Sequence, residues 1–224
     1  MESMNGNEAY LAPKELIMHF PQQCNAVRII QDEHERLSTV MNGMLHFVRR
    51  IDEGEKAPGL MVFRAMLYYI REYPEQVHHP KEDRFLFARL RERTSELDGT
   101  LAELEAQHAK GETLERELEH ALARYELEGS AAFPAFRDLV EKYAKFYFNH
   151  MHLEEDVVLP AAQRLLTSDD WNVIDTAFAA NRDPLAGAEL KDNLDNLDKL
   201  YSLIVTIVPA AMGSRSTPSA SSPG

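Results

Sequence analysis

The chain has 224 residues, 44% of them hydrophobic, which is enough for one large domain with a real core. A net charge of −13 with no dense Lys/Arg cluster argues against a nucleic-acid surface. One cysteine, Cys24, excludes a disulfide within the chain and suits a reducing compartment.

The start, MESMNGNEAYLAPKELIMHF, has no basic segment followed by a sustained apolar run, so no signal peptide is expected. The longest apolar stretch, Leu203 to Met212, is too short to span a bilayer. A soluble, cytoplasmic protein is expected, with neither nucleic acid nor membrane as partner.

Residues 1–24, punctuated by Pro13 and Pro21, read as an N-terminal arm. From Asn25 a helical period sets in, with Val27, Ile30, His34, Leu37, Met41, Met44 and Val48 on one stripe. Gly54 and the EGEKAPG turn end it. Pro74 and Pro80 interrupt the second helical segment, which predicts a helix over 59–73, a break, and a helix from 75 to about 92. The third segment, 96–127, carries Leu97, Leu101, Leu104, His108, Gly111 and Leu114 on its stripe. Gly111 leaves space beside His108. The fourth, 131–166, carries Phe136, Tyr143, Phe146, His150, Glu154, Val157 and Ala161. Ser168-Asp169-Asp170 reads as the cap of a short helix to about 181, with Trp171 as an anchor. Asp183-Pro184 breaks that helix, and a last one is expected over 185–207. The small polar residues of the tail, 210–224, predict disorder.

Long segments joined by short turns predict an all-α fold. Its core is an antiparallel up-down-up-down four-helix bundle over 25–167, with additional C-terminal helices over 168–209.

One device is written twice. His78-His79-Pro80-Lys81-Glu82-Asp83 and His150-Met151-His152-Leu153-Glu154-Glu155 both read His-x-x-x-Glu-acid, then two residues, then a large apolar pair, Leu86-Phe87 in the first copy and Val158-Leu159 in the second. Residues four apart share a helix face, so each copy aims an imidazole and a carboxylate at one point. A third such pair, His108 and Glu112, shows that the spacing alone is weak in a Glu-rich chain. The joint pattern is stronger. His34, His78, His108 and His150 fall one to a helix, on stripes that the period marks as internal. Buried imidazoles and carboxylates are costly without partners, and two metal ions would satisfy all six groups together. The mixed nitrogen and oxygen donors suit iron or manganese and give zinc no special preference.

These residues resemble the hemerythrin-like HHE cation-binding family. The stretches HHPKEDRFLF, QHAKGETL and YFNHMHLEEDVVLP carry the resemblance, which covers about 25–165. It implies a centre of two non-haem irons inside a four-helix bundle. His34, His78, His108 and His150 would be terminal ligands. Glu82 and Glu154 would bridge the irons, together with a water, hydroxide or oxo group. Manganese or zinc could substitute.

His79 and Glu112 are further candidates, as ligands or as partners of ligands. His79 follows a ligand directly and should point about 100° away on a regular helix, whereas Glu112 shares the face of His108. His152 and Glu155 point off-axis, at the surface or behind a ligand. His19, His46 and His120 show no pairing signal. The oxygen-carrying hemerythrins use five histidines, with His-x-x-x-His on the third helix. Here Glu112 stands at the second position, and its negative charge would favour the ferric state over reversible oxygen carriage. The chain also resembles bacterial di-iron proteins that repair iron–sulfur centres after nitrosative damage. Those commonly carry a Cys-containing N-terminal domain, which Cys24 alone does not replace.

The resemblance implies a protein that binds or senses oxygen or nitric oxide in oxidative or nitrosative stress. Two alternatives stay open. One is a redox enzyme of the peroxidase, oxidase or nitric oxide reductase kind, served by an electron donor. The other is an iron-storage, delivery or repair protein that hands iron to an apo-acceptor. A metal-free structural bundle is disfavoured by the burial cost of the six groups. The sequence leaves open whether the chain is an enzyme and whether it is a monomer or a homodimer.

Overall fold

The stripe that opens at Val27 folds as one unbroken helix. The computed structural model describes residues 25–55 and 59–186. In it, α1 (Asn25–Asp52) buries Val27, Ile30, His34, Leu37, Met41, Met44 and Val48. Gly54 ends the rod at a φ of 79°, a left-handed conformation that costs glycine little.

The second rod runs from 61 to 93 without the predicted break. It comprises α2 (Met61–Ile70), a π-helical stretch (Arg71–His78), α3 (His79–Lys81), a second π stretch (Glu82–Phe87) and α4 (Ala88–Arg93). Proline breaks a regular helix because it lacks an N–H and its ring meets the carbonyl four residues back. A π turn moves the bonding partner five residues back and widens the coil. The His79 N–H indeed bonds the Pro74 carbonyl. The rod passes both prolines by changing its winding instead of stopping.

The third rod is α5 (Asp98–Glu128). The fourth comprises α6 (Phe133–Leu153), a π stretch (Glu154–Val158) and α7 (Leu159–Leu165). That π stretch acts as a one-residue insertion in the stripe. The predicted inward Val157 is therefore exposed, and Val158 is buried in its place. Then α8 (Ser168–Ala179) begins with a capping box. Its cap is Thr167, one residue before the expected Ser168: the Thr167 hydroxyl accepts from the Asp170 N–H while the Asp170 carboxylate accepts from the Thr167 N–H. Trp171 is buried, as an anchor should be.

Among the described residues there is no strand, and no helix is long and apolar enough to cross a membrane. Apolar side chains gather in two cores. One holds Ile30, Phe87, Leu90, Leu101, Leu104, Val158, Leu159, Trp171 and Phe178. The other holds Met41, Met44, Phe47, Phe63, Tyr69, Leu118, Phe136 and Tyr143. Each rod contributes to both cores, and successive rods meet them in alternating order. The histidines come from the stretch of each rod between the two. The expected arm (1–24), the helix from 185 beyond its first two residues, and the tail (210–224) lie outside the described residues.

Candidate metal centre

Seven buried polar side chains converge between the cores. α1 brings His34, the second rod His78, His79 and Glu82, α5 His108, and the fourth rod His150 and Glu154. None is more than 7% exposed.

Each imidazole is anchored from behind through Nδ1. His34 bonds Glu155 Oε1 at 2.8 Å, His78 bonds Glu33 Oε2 at 2.6 Å, and His79 bonds Glu75 Oε2 at 3.3 Å. His108 bonds Asp83 Oδ1 at 2.9 Å, and His150 bonds Gln107 Oε1 at 3.0 Å. Every partner atom is a carboxylate or amide oxygen, an acceptor. This assigns the hydrogen to Nδ1 and leaves each Nε2 to face the interior.

What Nε2 meets there is informative. His34 Nε2 lies 3.2 Å from His78 Nε2. Two lone pairs aimed at each other repel unless a proton or a cation sits between them. Glu82 places Oε1 at 3.1 Å from His78 Nε2 and 3.9 Å from His34 Nε2, while its Oε2 lies 3.7 Å from His108 Nε2. Glu154 places Oε2 at 3.3 Å from His34 Nε2 and 3.5 Å from His150 Nε2, with Oε1 at 3.8 Å from His108 Nε2. Each carboxylate thus spreads its two oxygens towards different histidines.

Both oxygens of Glu82 and of Glu154, and Nε2 of His108 and His150, are buried without a hydrogen-bond partner. Buried polar atoms in folded proteins nearly always find partners, so six orphans in one place fit a group that binds them all. Two sets have ligand atoms within 4.8 Å of one another: His79, Glu82, His108 and His150, and His34, His78 and Glu82. Glu82 belongs to both. Anchored imidazoles and orphaned carboxylates are a donor set able to hold a metal cation.

Burial and charged neighbours set the protonation of the five imidazoles in opposite directions. Burial pulls His34 down, but Glu154 and Glu155 outweigh it and raise it to about 9. His108 rises to about 10 against burial, through Asp83, Glu154 and Glu82. His78 also rises, against burial, through Glu82 and Glu33. His79 and His150 go the other way. Burial and the neighbouring charged histidines hold His79 well below the ordinary range, and burial drives His150 to about 4 despite Glu154.

The structure brings together the six residues singled out by the stripes and, of the two further candidates, His79 but not Glu112. A π turn rotates less per residue than a regular turn, so Glu75, His78, His79 and Glu82 all line one broad face. Glu112 lies outside the cluster, exposed and paired with Arg116 at 3.8 Å. The buried face of α5 runs through Leu104, His108, Gly111, Glu115 and Leu118, which leaves Glu112 on its solvent edge. His46, His120 and His152 are exposed, as expected, while His19 lies outside the described residues.

The anchors were harder to foresee. Asp83 and Glu155 are the second acids of the doubled motif, and each grips the lone histidine of another rod. Glu33 and Gln107 had only their places beside His34 and His108 as a signal. Glu75 is enclosed by the hydroxyls of Tyr143 and Tyr147, and burial pushes it up to about 7. Gly111 makes that fit possible, since a Cβ there would lie 2.5 Å from Tyr147 Oη.

Residues 25–162 match the hemerythrin HHE cation-binding domain. The chain belongs to that family. No curated protein and no solved structure matches it. The HHE domain binds cations, and in this member the histidines and glutamates able to hold them lie within the matched stretch. α8 (Ser168–Ala179) lies beyond that stretch.

Proposed function

We propose that this HHE protein holds two iron ions between its four rods and uses them to bind or sense oxygen or nitric oxide under oxidative or nitrosative stress. The rods form the antiparallel up-down-up-down bundle expected from sequence; the alternating order in which they meet the two cores supports this. His34 and His78 would hold one ion, and His79, His108 and His150 the other, following the two groups of converging ligand atoms. Glu82, whose oxygens lie near histidines of both groups, and Glu154 would supply the carboxylates shared between the ions.

One observation carries the reading: six orphaned atoms of Glu82, Glu154, His108 and His150, buried inside a ring of imidazoles anchored through Nδ1. When bound, the metal pair supplies two electrons and an open position for a small ligand. The chain's own part is to fix the imidazoles and exclude bulk water. With His79 at the cluster and Glu112 at the surface, the donors number five imidazoles and two carboxylates. That is the histidine count of the oxygen carriers, and the extra negative charge that would oppose reversible binding is remote. The gas-binding reading is therefore favoured over the redox enzyme.

The test starts with elemental mass spectrometry on protein purified without chelators from iron-replete cells. About two irons per chain are expected. The reduced protein should then change its optical spectrum reversibly on exposure to oxygen or nitric oxide. Turnover with an electron donor and no reversible complex would move the assignment to an enzyme, and transfer of iron to an apo-acceptor would move it to delivery or repair. Protein with neither iron nor manganese or zinc in its place overturns the metal centre itself.

A further inference from the structure

The segment that follows the matched HHE domain reaches back to the candidate centre. Asp175 Oδ1 accepts from the Ala26 N–H at 2.7 Å, at the start of α1. The Phe178 ring stands edge-on to His78, centroids 6.4 Å apart. Beyond α8, Asp183 pairs with Arg36 and accepts from the Tyr69 hydroxyl at 3.3 Å. The contact that bears on the site is made by Asn181. Its Nδ2 donates to both oxygens of Glu33, at 2.9 and 3.2 Å. Glu33 in turn accepts from His78 Nδ1 at 2.6 Å and from the Tyr73 hydroxyl at 2.6 Å.

The amide of Asn181 is itself oriented. Lys81 Nζ donates to its Oδ1 and, at 2.8 Å, to the Ala177 carbonyl. An ammonium can only donate, so the amide oxygen must face Lys81 and the NH₂ must face Glu33. A buried carboxylate with a single partner can turn about its last bond. With Asn181 straddling both oxygens and Tyr73 fixing one, Glu33 presents Oε2 to His78 in one orientation.

We propose that Asn181 is a positioning residue for the metal pair. Oriented by Lys81, it holds the Glu33 carboxylate that fixes the His78 ring and strengthens it as a ligand. The inference rests on the metal centre proposed above. Partners behind a ligand histidine set its orientation and basicity, and losing such a direct partner costs about 10- to 100-fold in metal affinity. Asn181 acts one step further out, so its effect is smaller.

The test compares the full-length iron-loaded protein with Asn181→Leu, Tyr73→Phe and Arg93→Met. Two readouts are taken: the rate at which a chelator strips iron, and the midpoint potential of the metal pair. Asn181→Leu and Tyr73→Phe should lose one of the two irons about threefold to tenfold faster. Both should shift the potential away from the wild-type value, because Glu33 no longer holds the His78 ring in one orientation. Arg93→Met breaks the Arg93–Asp170 pair and loosens α8 without touching Glu33; it should leave both readouts at the wild-type value. Should Asn181→Leu fail to fold, Asn181→Ala removes the amide without added bulk and decides the question. If the Asn181 variant matches Arg93→Met in both readouts while the wild type carries two irons, the inference is wrong and the metal centre stands. A wild type that takes up no metal overturns both.

Discussion

At the scale of single residues, the candidate centre separates groups that face the interior from groups that only share a spacing with them. His108/Glu112 has the same spacing as His78/Glu82, yet Glu112 is exposed beside Arg116 and Glu82 is buried with both oxygens orphaned. Glu154→Ala should abolish binding of at least one metal ion, an effect larger than the about 10- to 100-fold loss on removing an outer partner. Glu112→Ala and His46→Ala should leave two metals per chain. Metal analysis of the three purified variants checks this, and two retained irons in Glu154→Ala would remove Glu154 from the ligand set. The sequence revealed His34, His78, Glu82, His108, His150 and Glu154 because each lies on an apolar stripe, where a polar group must have a reason. His79 was obscured by the geometry of a regular helix, which places neighbours on different faces. Only the local change of winding brings it inward.

At the scale of elements, boundaries set by capping and by the helical period were legible, and departures from regular winding were not. α1 and α5 begin and end close to the predicted positions. The second rod continues through Pro74, and the fourth slips by one residue at Glu154–Val158. Both differences are π stretches, which no period of 3.6 residues can signal. Each motif copy has a π stretch starting at its own glutamate, Glu82 or Glu154. α8 offers a separate test of local energetics. The Thr167 side chain and the Asp170 carboxylate satisfy each other's backbone donors. Thr167→Ala should therefore cost about 1 kcal/mol, measured by urea unfolding, with metal content unchanged. A neutral result would mean that the Arg93–Asp170 pair alone holds the start of α8.

At the scale of the whole molecule, stability without metal should depend on the protonation of the centre. Histidine in the unfolded chain has a pKa of about 6.5. His34 and His108 are raised to about 9 and about 10 in the fold. Their contribution is complete below about 6.5 and is lost as pH rises through those folded values. His150, lowered to about 4, acts in the opposite sense. The unfolded chain takes its proton first, so stability also falls as pH drops from about 6.5 towards about 4. The metal-free protein should therefore melt at its highest temperature near neutrality. Loaded with metal, the same protein should keep its melting temperature between pH 7 and 9, because cations replace the protons on Nε2. Thermal melts of both forms across that range check this; a metal-free protein with a flat profile would show that the raised histidines do not stabilise the fold.

The second acid of each motif copy has a consequence for assembly. Asp83 sits on the second rod but orients His108 of α5, and Glu155 sits on the fourth rod but orients His34 of α1. His150, on the fourth rod, is in turn oriented by Gln107 of α5. No rod orients its own full share of the site, and no adjacent pair of rods encloses more than part of it. A helical hairpin emerging early in folding would leave at least one of its histidines without an anchor: His34 in a hairpin of the first two rods, His108 in one of the last two. The full set of oriented imidazoles therefore exists only once all four rods have reached their places.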